Sequence, residues 1–102
     1  MKIIKELCEY IEEEIGDAKK YAKKALAVKQ EHPALAETLE RLSQEEMNHM
    51  NLLHGEVTKL IADYRKEHGE PPEAMLAVYN YLHERAMDRA KEVKHYQALF
   101  RE

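Results

Sequence analysis

The chain has 102 residues, which is enough for one domain and too short for two of ordinary size. Its net charge is -4 and its charges alternate in sign, so the sequence lacks the basic patch that is typical of nucleic-acid-binding proteins. The apolar runs are too short for a membrane span or a signal peptide, and the single cysteine, Cys8, cannot form an internal disulfide. These properties favour a cytoplasmic protein. The abundance of Ala, Leu, Glu and Lys, with 3 Gly and 3 Pro, favours an all-α fold.

Three long helices are predicted, and a proline separates the first two. Apolar residues recur at alternating intervals of three and four over 2–30, as in a helix that packs along one side in a bundle. His32 precedes Pro33 and is therefore biased away from helix, whereas a proline fits the first turn of the next helix. The second helix is expected over 34–68.

The second corner is Gly69-Glu70-Pro71-Pro72, which ends the second helix because glycine favours a helix terminus and the two prolines cannot continue it. The third helix is expected over 72–101. Each helix has about 30 residues and is roughly 45 Å long, and such short connections make neighbouring helices antiparallel. The sequence therefore predicts one domain, 1–102, of three long antiparallel helices, with apolar residues left for a partner subunit to cover.

Three polar residues lie where the apolar rows of the first two helices should continue. Glu14 stands between Ile11 and Ala18 in the first row, and Glu46 and His49 stand in the second row. The other members of the second row are Leu35, Leu39, Leu42, Leu53 and Leu60. A buried carboxylate is costly unless it is paired or binds a metal ion. Three polar residues in these rows therefore need a common explanation.

The same three residues are predicted to lie at one level of the hairpin. Counted from the corner before Pro33, Glu14 precedes it by about as many residues as His49 follows it, with Glu46 within one turn. Residues three apart are neighbours on a helix surface, so Glu46 and His49 can reach one ion. The three residues interrupt apolar rows at one level of the hairpin, which predicts a metal site. A purely structural Glu–His hydrogen bond is the alternative.

A second Glu-x-x-His pair, Glu92 and His95, shows that this spacing by itself is a weak signal. Reflection of the second helix across the second corner brings Glu92 near the level of Glu46. One chain could then supply a complete site from Glu14, Glu46, His49, Glu92 and His95. Because Glu92 and His95 lie to one side of the apolar row of the third helix, we expect them to be a partly exposed pair. A site shared between two copies is favoured.

Other polar residues near these rows have simpler explanations. His54 lies beside the second row and is predicted to be a solvated histidine. Glu12 and Glu13 are predicted to form a solvated acidic face, from which only Glu14 points inward.

Glu14, Tyr21 seven residues later, and Glu46-Met47-Asn48-His49 resemble the metal-binding helices of the ferritin-like superfamily, in particular its bacterioferritin, rubrerythrin and encapsulated-ferritin branches. The resemblance covers about residues 4–64. It implies a four-helix bundle around two metal ions, with Glu14 as a bridging or terminal ligand, Glu46 as a bridge and His49 as a terminal ligand. Carboxylates with imidazole suit iron, or else manganese. The resemblance further implies a ferroxidase-type oxidoreductase that oxidises Fe(II) with oxygen or peroxide, with Tyr21 as a one-electron relay or hydrogen-bond partner.

One copy offers half of such a site, since ferritin-like chains have four metal-bearing helices and this chain is predicted to have three. Two copies related by a twofold axis would supply two each of Glu14, Glu46 and His49, a complete set, as paired subunits do in encapsulated ferritins. The residues at 96–102 do not resemble the shell-targeting tail of that branch, so an encapsulating shell is not expected. The alternative from another class is a metal-free helical protein that dimerises or docks a partner through its third helix.

Overall fold

The computed structural model describes residues 2–102 and is all-helical, with no strand among those residues. Helix α1 spans Lys2–Val28, α2 spans Pro33–His68 and α3 spans Glu73–Arg101, so each bound lies within two residues of the predicted one. The molecule is long and thin, 56 × 19 × 18 Å, because α2 alone has 36 residues. Within residues 2–102, none of the helices combines the length and the apolar character that crossing a membrane requires.

Both corners have the backbone geometry that their residues favour. His32 has φ −134° and ψ 69°, outside the helical region, and its amide N–H donates to the carbonyl oxygen of Val28, with N···O 2.8 Å. Pro33 then begins α2, at a position where no amide hydrogen is needed. Gly69 ends α2 with φ +80°, which glycine adopts without steric cost, and donates its N–H to the carbonyl oxygen of Arg65.

The helices run up, down and up. The short first corner makes α1 and α2 antiparallel. Glu12 of α1 pairs with Arg89 of α3, and Lys19, further along α1, pairs with Glu92, further along α3. The two helices are therefore parallel. α1 packs along both of the other helices, whereas α2 and α3 approach each other closely at few places. α1 is therefore the helix that holds the bundle together.

The core is one row of buried side chains along each helix, which we call the buried row. Large side chains fill the half of the bundle near the second corner, and small ones lie between α1 and α2 toward the first corner, where the two backbones can approach closely. The buried row on α1 is Ile4, Cys8, Ile11, Ile15, Ala18, Ala22 and Ala25. On α2 it is Ala36, Glu40, Ser43, Met47, Met50 and Val57, and on α3 it is Ala86, Ala90, Val93, Gln97 and Phe100.

A second row runs along α1 and α2 beside the buried one, and its side chains are half-buried or exposed. We call it the open row. Its members on α1 are Leu7, Glu14, Tyr21 and Val28. Its members on α2 are Leu35, Leu39, Leu42, Glu46, His49, Leu53 and Leu60.

The open row lies on the side of the hairpin that α3 does not cover. Glu12 and Lys19 of α1 form the ion pairs with α3. Residues two apart on a helix differ in direction by about 200°. Glu14 and Tyr21 therefore point away from α3. One chain leaves a mostly apolar row with three polar residues without a covering helix.

The apolar rows predicted from the sequence for α1 and α2 contain residues of both the buried row and the open row. Ile4, Ile11, Ala18 and Ala25 of the predicted α1 row are buried, which confirms that part of the prediction. The predicted α2 row is confirmed only in part: Leu39, Leu53 and Leu60 are half-buried and pack against the core, but the fully buried row of α2 runs beside them. The physical reason is that close contact between α1 and α2 favours small Ala and Ser side chains over leucine at the interface.

Candidate metal centre

Glu14 of α1 and Glu46 and His49 of α2 come together near the middle of the hairpin. One donor atom from each lies within 4.8 Å of the donor atoms of the other two. Nδ1 of His49 is 3.4 Å from Oε2 of Glu14 and 3.8 Å from Oε2 of Glu46. Ligand atoms that are each about 2.1 Å from one ion lie about 3–4 Å apart. The two distances from His49 thus match the separation of ligands around a metal.

The level of the cluster is set by the antiparallel hairpin and by a polar relay one turn away. Ser43, which is 0% exposed, donates its hydroxyl hydrogen to the carbonyl oxygen of Ala18, with O···O 2.7 Å. Nε2 of Gln97 donates to Oγ of Ser43 at 3.0 Å. The relay joins all three helices and fixes their register. Its sequence signal is that Ser43 and Gln97 interrupt apolar rows as Glu14 does, and it was missed because each is a single polar residue with no recognisable spacing.

One buried carboxylate oxygen in the cluster has no hydrogen-bond partner in the described part of the chain. Oε2 of Glu14 is buried and has no hydrogen-bond partner among the described residues 2–102, since His49 at 3.4 Å lacks hydrogen-bond geometry. Leaving a buried polar atom unpartnered costs about 1–3 kcal/mol. A cation held between Glu14, Glu46 and His49 would remove this cost.

The two carboxyl groups interact strongly. A hydrogen bond to Glu14 that only the protonated Glu46 can make, burial, and the negative charges of Glu14 and Asp17 raise the pKa of the Glu46 carboxyl to about 7, and His49 partly offsets this shift. Two such close carboxylates cannot both carry a full charge near neutral pH unless a proton or a cation lies between them. Either a shared proton or a bound cation would therefore stabilise this pair.

The cluster faces solvent in a single chain. The side chains of Glu14 and Glu46 are 26% and 20% exposed, and that of His49 is 55% exposed. An ion held by one chain would complete its coordination with water or with groups from another molecule. Tyr21 lies two turns from Glu14 along the open row, is half-buried, and has Nζ of Lys20 at 5.4 Å from its ring centroid.

The structure does not bring Glu92 and His95 to this cluster. Oε1 of Glu92 is 2.8 Å from Nζ of Lys19, and this ion pair lowers the pKa of the Glu92 carboxyl. His95 is exposed, and its ring lies against that of Tyr96. The reason is that α3 lies on the Lys19 side of α1, opposite Glu14. Glu14, Glu46 and His49 therefore remain the three residues brought together.

Two side chains predicted to be solvated are instead half-buried and contact α3. Nε2 of His54 is 3.2 Å from Nδ1 of His83, and burial together with His83 lowers the pKa of His54. Glu12 forms ion pairs with Arg89 and Arg85. Those predictions were wrong because they depended on where α3 lies, and the helical patterns of α1 and α2 carry no information about that.

No family model, curated protein or solved structure matches this chain. The cluster of Glu14, Glu46 and His49 is the strongest candidate for a functional site, because it combines metal-ligating donors, short distances and a buried oxygen without a hydrogen-bond partner within residues 2–102.

Proposed function

We propose that this chain is a ferritin-like di-metal carboxylate protein, whose site is shared by two copies and which oxidises Fe(II) with oxygen or peroxide. The observation that carries the proposal is the buried, unpartnered Oε2 of Glu14 beside Glu46 and His49. A structural Glu–His pair would satisfy that oxygen by a hydrogen bond. A metal ion would satisfy it without one, and the competing explanation is a proton that Glu46 carries and shares with Glu14.

The donor set fits iron or manganese. Each copy offers two carboxylates and one imidazole, a combination that suits Fe(II) and Mn(II) better than a thiolate-preferring ion. Cys8, the one thiol in the sequence, lies in the buried row and is no part of the cluster. Two copies would offer four carboxylates and two imidazoles, which is the ligand set of carboxylate-bridged di-metal sites in helical bundles.

The open row supports a twofold dimer. A symmetric dimer is self-complementary, so the open row of one copy would pack on the same row of the other, leucines against leucines. The two half-sites would then meet near the axis. Four carboxylates brought together repel one another unless protons or cations intervene. Two divalent ions carry four positive charges and match the four carboxylates, so we expect metal binding and dimerisation to stabilise each other.

The residues would have distinct roles. Glu14 and Glu46 would hold the metal ions in place, and the raised pKa of Glu46 makes this carboxyl a proton carrier that releases its proton as a cation binds. The exposed His49 would be the ligand at the edge of each half-site. Bound iron would supply the electrons that reduce oxygen or peroxide. Tyr21, on the same row, is the candidate one-electron relay.

The proposal is tested by loading the metal-free protein with Fe(II) without oxygen and measuring the bound iron, the mass of the assembly and the oxygen consumed on exposure to air. We expect two iron ions per dimer and iron-dependent oxygen uptake. His49→Ala should lose both. His95→Ala is the matched control, because His95 is also an exposed histidine on a long helix.

Equal and poor iron binding by the natural chain and the His49→Ala variant would exclude the metal proposal. If the metal-free protein then still formed a dimer through the open row, the chain would belong to the other class, a helical module that joins two copies without an ion. Anomalous scattering from a crystal grown with iron would locate any bound ion and show whether it lies between two copies.

A further inference from the structure

His54 and His83 form the one cross-helix contact between two imidazole nitrogens that the structure describes within residues 2–102. Nε2 of His54 lies 3.2 Å from Nδ1 of His83, and the ring planes are 29° apart with centroids 5.0 Å apart. The ring of Tyr79 also stacks with that of His83, with centroids 6.0 Å apart. Both histidines are half-buried. The contact joins α2 to α3, the pair of helices that otherwise approach each other least.

The distance between the two nitrogens suits a shared metal ion. Zinc–nitrogen bonds of about 2.05 Å give a nitrogen–nitrogen separation of about 2.9 Å at a right angle and about 3.3 Å at the tetrahedral angle. The observed 3.2 Å lies between these values. An ion at that bond length would lie roughly 40° off the line that joins the nitrogens. Histidine rings can turn toward it because their χ2 angle is broadly distributed.

The surroundings leave room for an ion and keep the imidazole of His54 in the ligating form. A small cavity of ≈ 10 Å³ borders both rings and is also lined by Cys8 and Tyr79. A cavity of this size holds about one water molecule. Burial and the neighbouring His83 lower the pKa of His54, so His54 is neutral near pH 7, and neutral imidazole is the form that binds metals.

The donors at this contact differ from those of the Glu14 cluster. Burial raises the pKa of Cys8 and of Tyr79, so neither is a ready anionic ligand near pH 7. The contact therefore offers two imidazoles and space for water, and within residues 2–102 no carboxylate lines its cavity. Imidazole ligation suits Zn²⁺, Ni²⁺ and Cu²⁺, whereas carboxylate-rich ligation suits iron and manganese. The two places should select different ions.

We propose that His54 and His83 form a second, separate metal site, which binds one late transition-metal ion such as Zn²⁺ and links α2 to α3. It is independent of the function proposed above, since it shares no residue with Glu14, Glu46 and His49. The alternative explanation of the contact is a neutral hydrogen bond, in which one imidazole N–H donates to the other ring.

The test uses the full chain with Glu14→Ala and His49→Ala, which removes the other candidate site. Zn²⁺ is titrated against a chromophoric chelator, and we expect one Zn²⁺ per chain. Replacement of either histidine by asparagine, His54→Asn or His83→Asn, should weaken binding by at least ~10-fold, because even partners outside the ligand shell change affinity by about that factor. His95→Asn is the matched control on α3 and should bind Zn²⁺ as the parent chain does.

A second measurement does not depend on the histidine variants folding normally. Cu²⁺ bound to the Glu14→Ala, His49→Ala chain should show an electron paramagnetic resonance spectrum with coupling to two imidazole nitrogens. Circular dichroism establishes whether each variant retains its helices. A spectrum with one coupled nitrogen, or equal Zn²⁺ affinity in helical His83→Asn and His95→Asn variants, would reduce the contact to a hydrogen bond and overturn the proposal.

Discussion

The two faces of the α1/α2 hairpin differ in what covers them and in how the polar groups near the metal-binding level are partnered. On the face that α3 covers, Ser43 donates to Ala18 and accepts from Gln97. On the open face, a buried oxygen of Glu14 has no hydrogen-bond partner within residues 2–102, and Leu35 is 48% exposed. An orphaned oxygen and an uncovered apolar row are two deficiencies of the same face, and a second copy with bound cations would remove both.

The proposed function predicts that folding depends mainly on one face of this hairpin, and that association and metal binding depend on the other. Substitutions on the covered face should change the free energy of unfolding of a single chain. Substitutions on the open face should change association and metal binding, with smaller effects on the fold of a single chain. Each experiment that follows tests this separation.

The largest effect on folding is expected from the covered face. Ile15 is 0% exposed, and Ile15→Ala should lower the free energy of unfolding by about 2–5 kcal/mol, since it removes buried methylene groups and leaves a cavity. Leu42→Ala, on the half-buried open row, should cost about 1 kcal/mol or less in the dilute metal-free protein. Urea unfolding at low protein concentration measures both. Similar losses for the two variants would contradict the difference between the faces.

The next largest effect concerns association through the open face. Leu42→Lys should weaken the metal-loaded dimer by about 10- to 100-fold, because it places a charge at the centre of the apolar row. The control is Leu52→Lys: Leu52 is a leucine on the same helix, is 71% exposed and lies outside the open row. Sedimentation equilibrium with Mn²⁺ measures the dissociation constant. A dimer weakened equally by Leu52→Lys would show that another surface forms the interface.

Much of this hairpin could be predicted from the sequence, because the signals are local. Pro33 and Gly69 end helices through their own backbone constraints, so the helix bounds were predicted within two residues. The grouping of Glu14, Glu46 and His49 was predictable because distance from a short corner sets the level of each residue on an antiparallel hairpin.

The orientation of the rows could not be predicted in the same way. Leucines dominate a hydrophobic pattern, yet Ala36 and Ser43 occupy the buried row of α2 because small side chains permit close approach to α1. The contacts with α3, such as His54 with His83, depend on how that helix is rotated and placed beyond the second corner. A single-helix periodicity contains no information about this rotation.

The effect of pH offers a test of the Glu46 environment in the metal-free protein. Its raised pKa, about 7 against an ordinary 4.5, means that the folded state binds this proton more tightly than the unfolded state does. The resulting stabilisation is full below the unfolded pKa and is lost as pH rises through about 7. Thermal unfolding should therefore show greater stability at about pH 5 than at about pH 8, by on the order of 1–3 kcal/mol, and Glu46→Gln should reduce this difference.

Metal binding should reverse the sign of that dependence. Ligand carboxylates must lose their protons before they bind an ion, so added Mn²⁺ should stabilise the protein more as pH rises through the pKa of Glu46. The same titration on the His49→Ala variant gives the control, since that variant keeps both carboxylates and loses the imidazole. If Mn²⁺ stabilised both proteins equally at every pH, the cluster would not act as one site.

The smallest predicted effect concerns an exception on the covered face. Glu40 lies in the buried row of α2, is 4% exposed, and neither of its carboxylate oxygens has a hydrogen-bond partner of good geometry within residues 2–102. Burial raises the pKa of Glu40, and Gln44 and Arg101 only partly offset this shift. Glu40→Gln removes the charge and should raise the free energy of unfolding at about pH 7 by about 1 kcal/mol.

The control for Glu40 is Glu37→Gln, one turn earlier, exposed and therefore expected to change stability little. The gain from Glu40→Gln should shrink as the pH falls, because the natural carboxyl then becomes protonated and is no longer a buried charge. Loss of stability on Glu40→Gln would mean that the carboxylate is satisfied in solution by a group from another molecule. Among its described residues, a single chain leaves both Glu40 and Glu14 without partners of good geometry. With that outcome the covered face would need another molecule as the open face does, and the proposed difference between the two faces would fail.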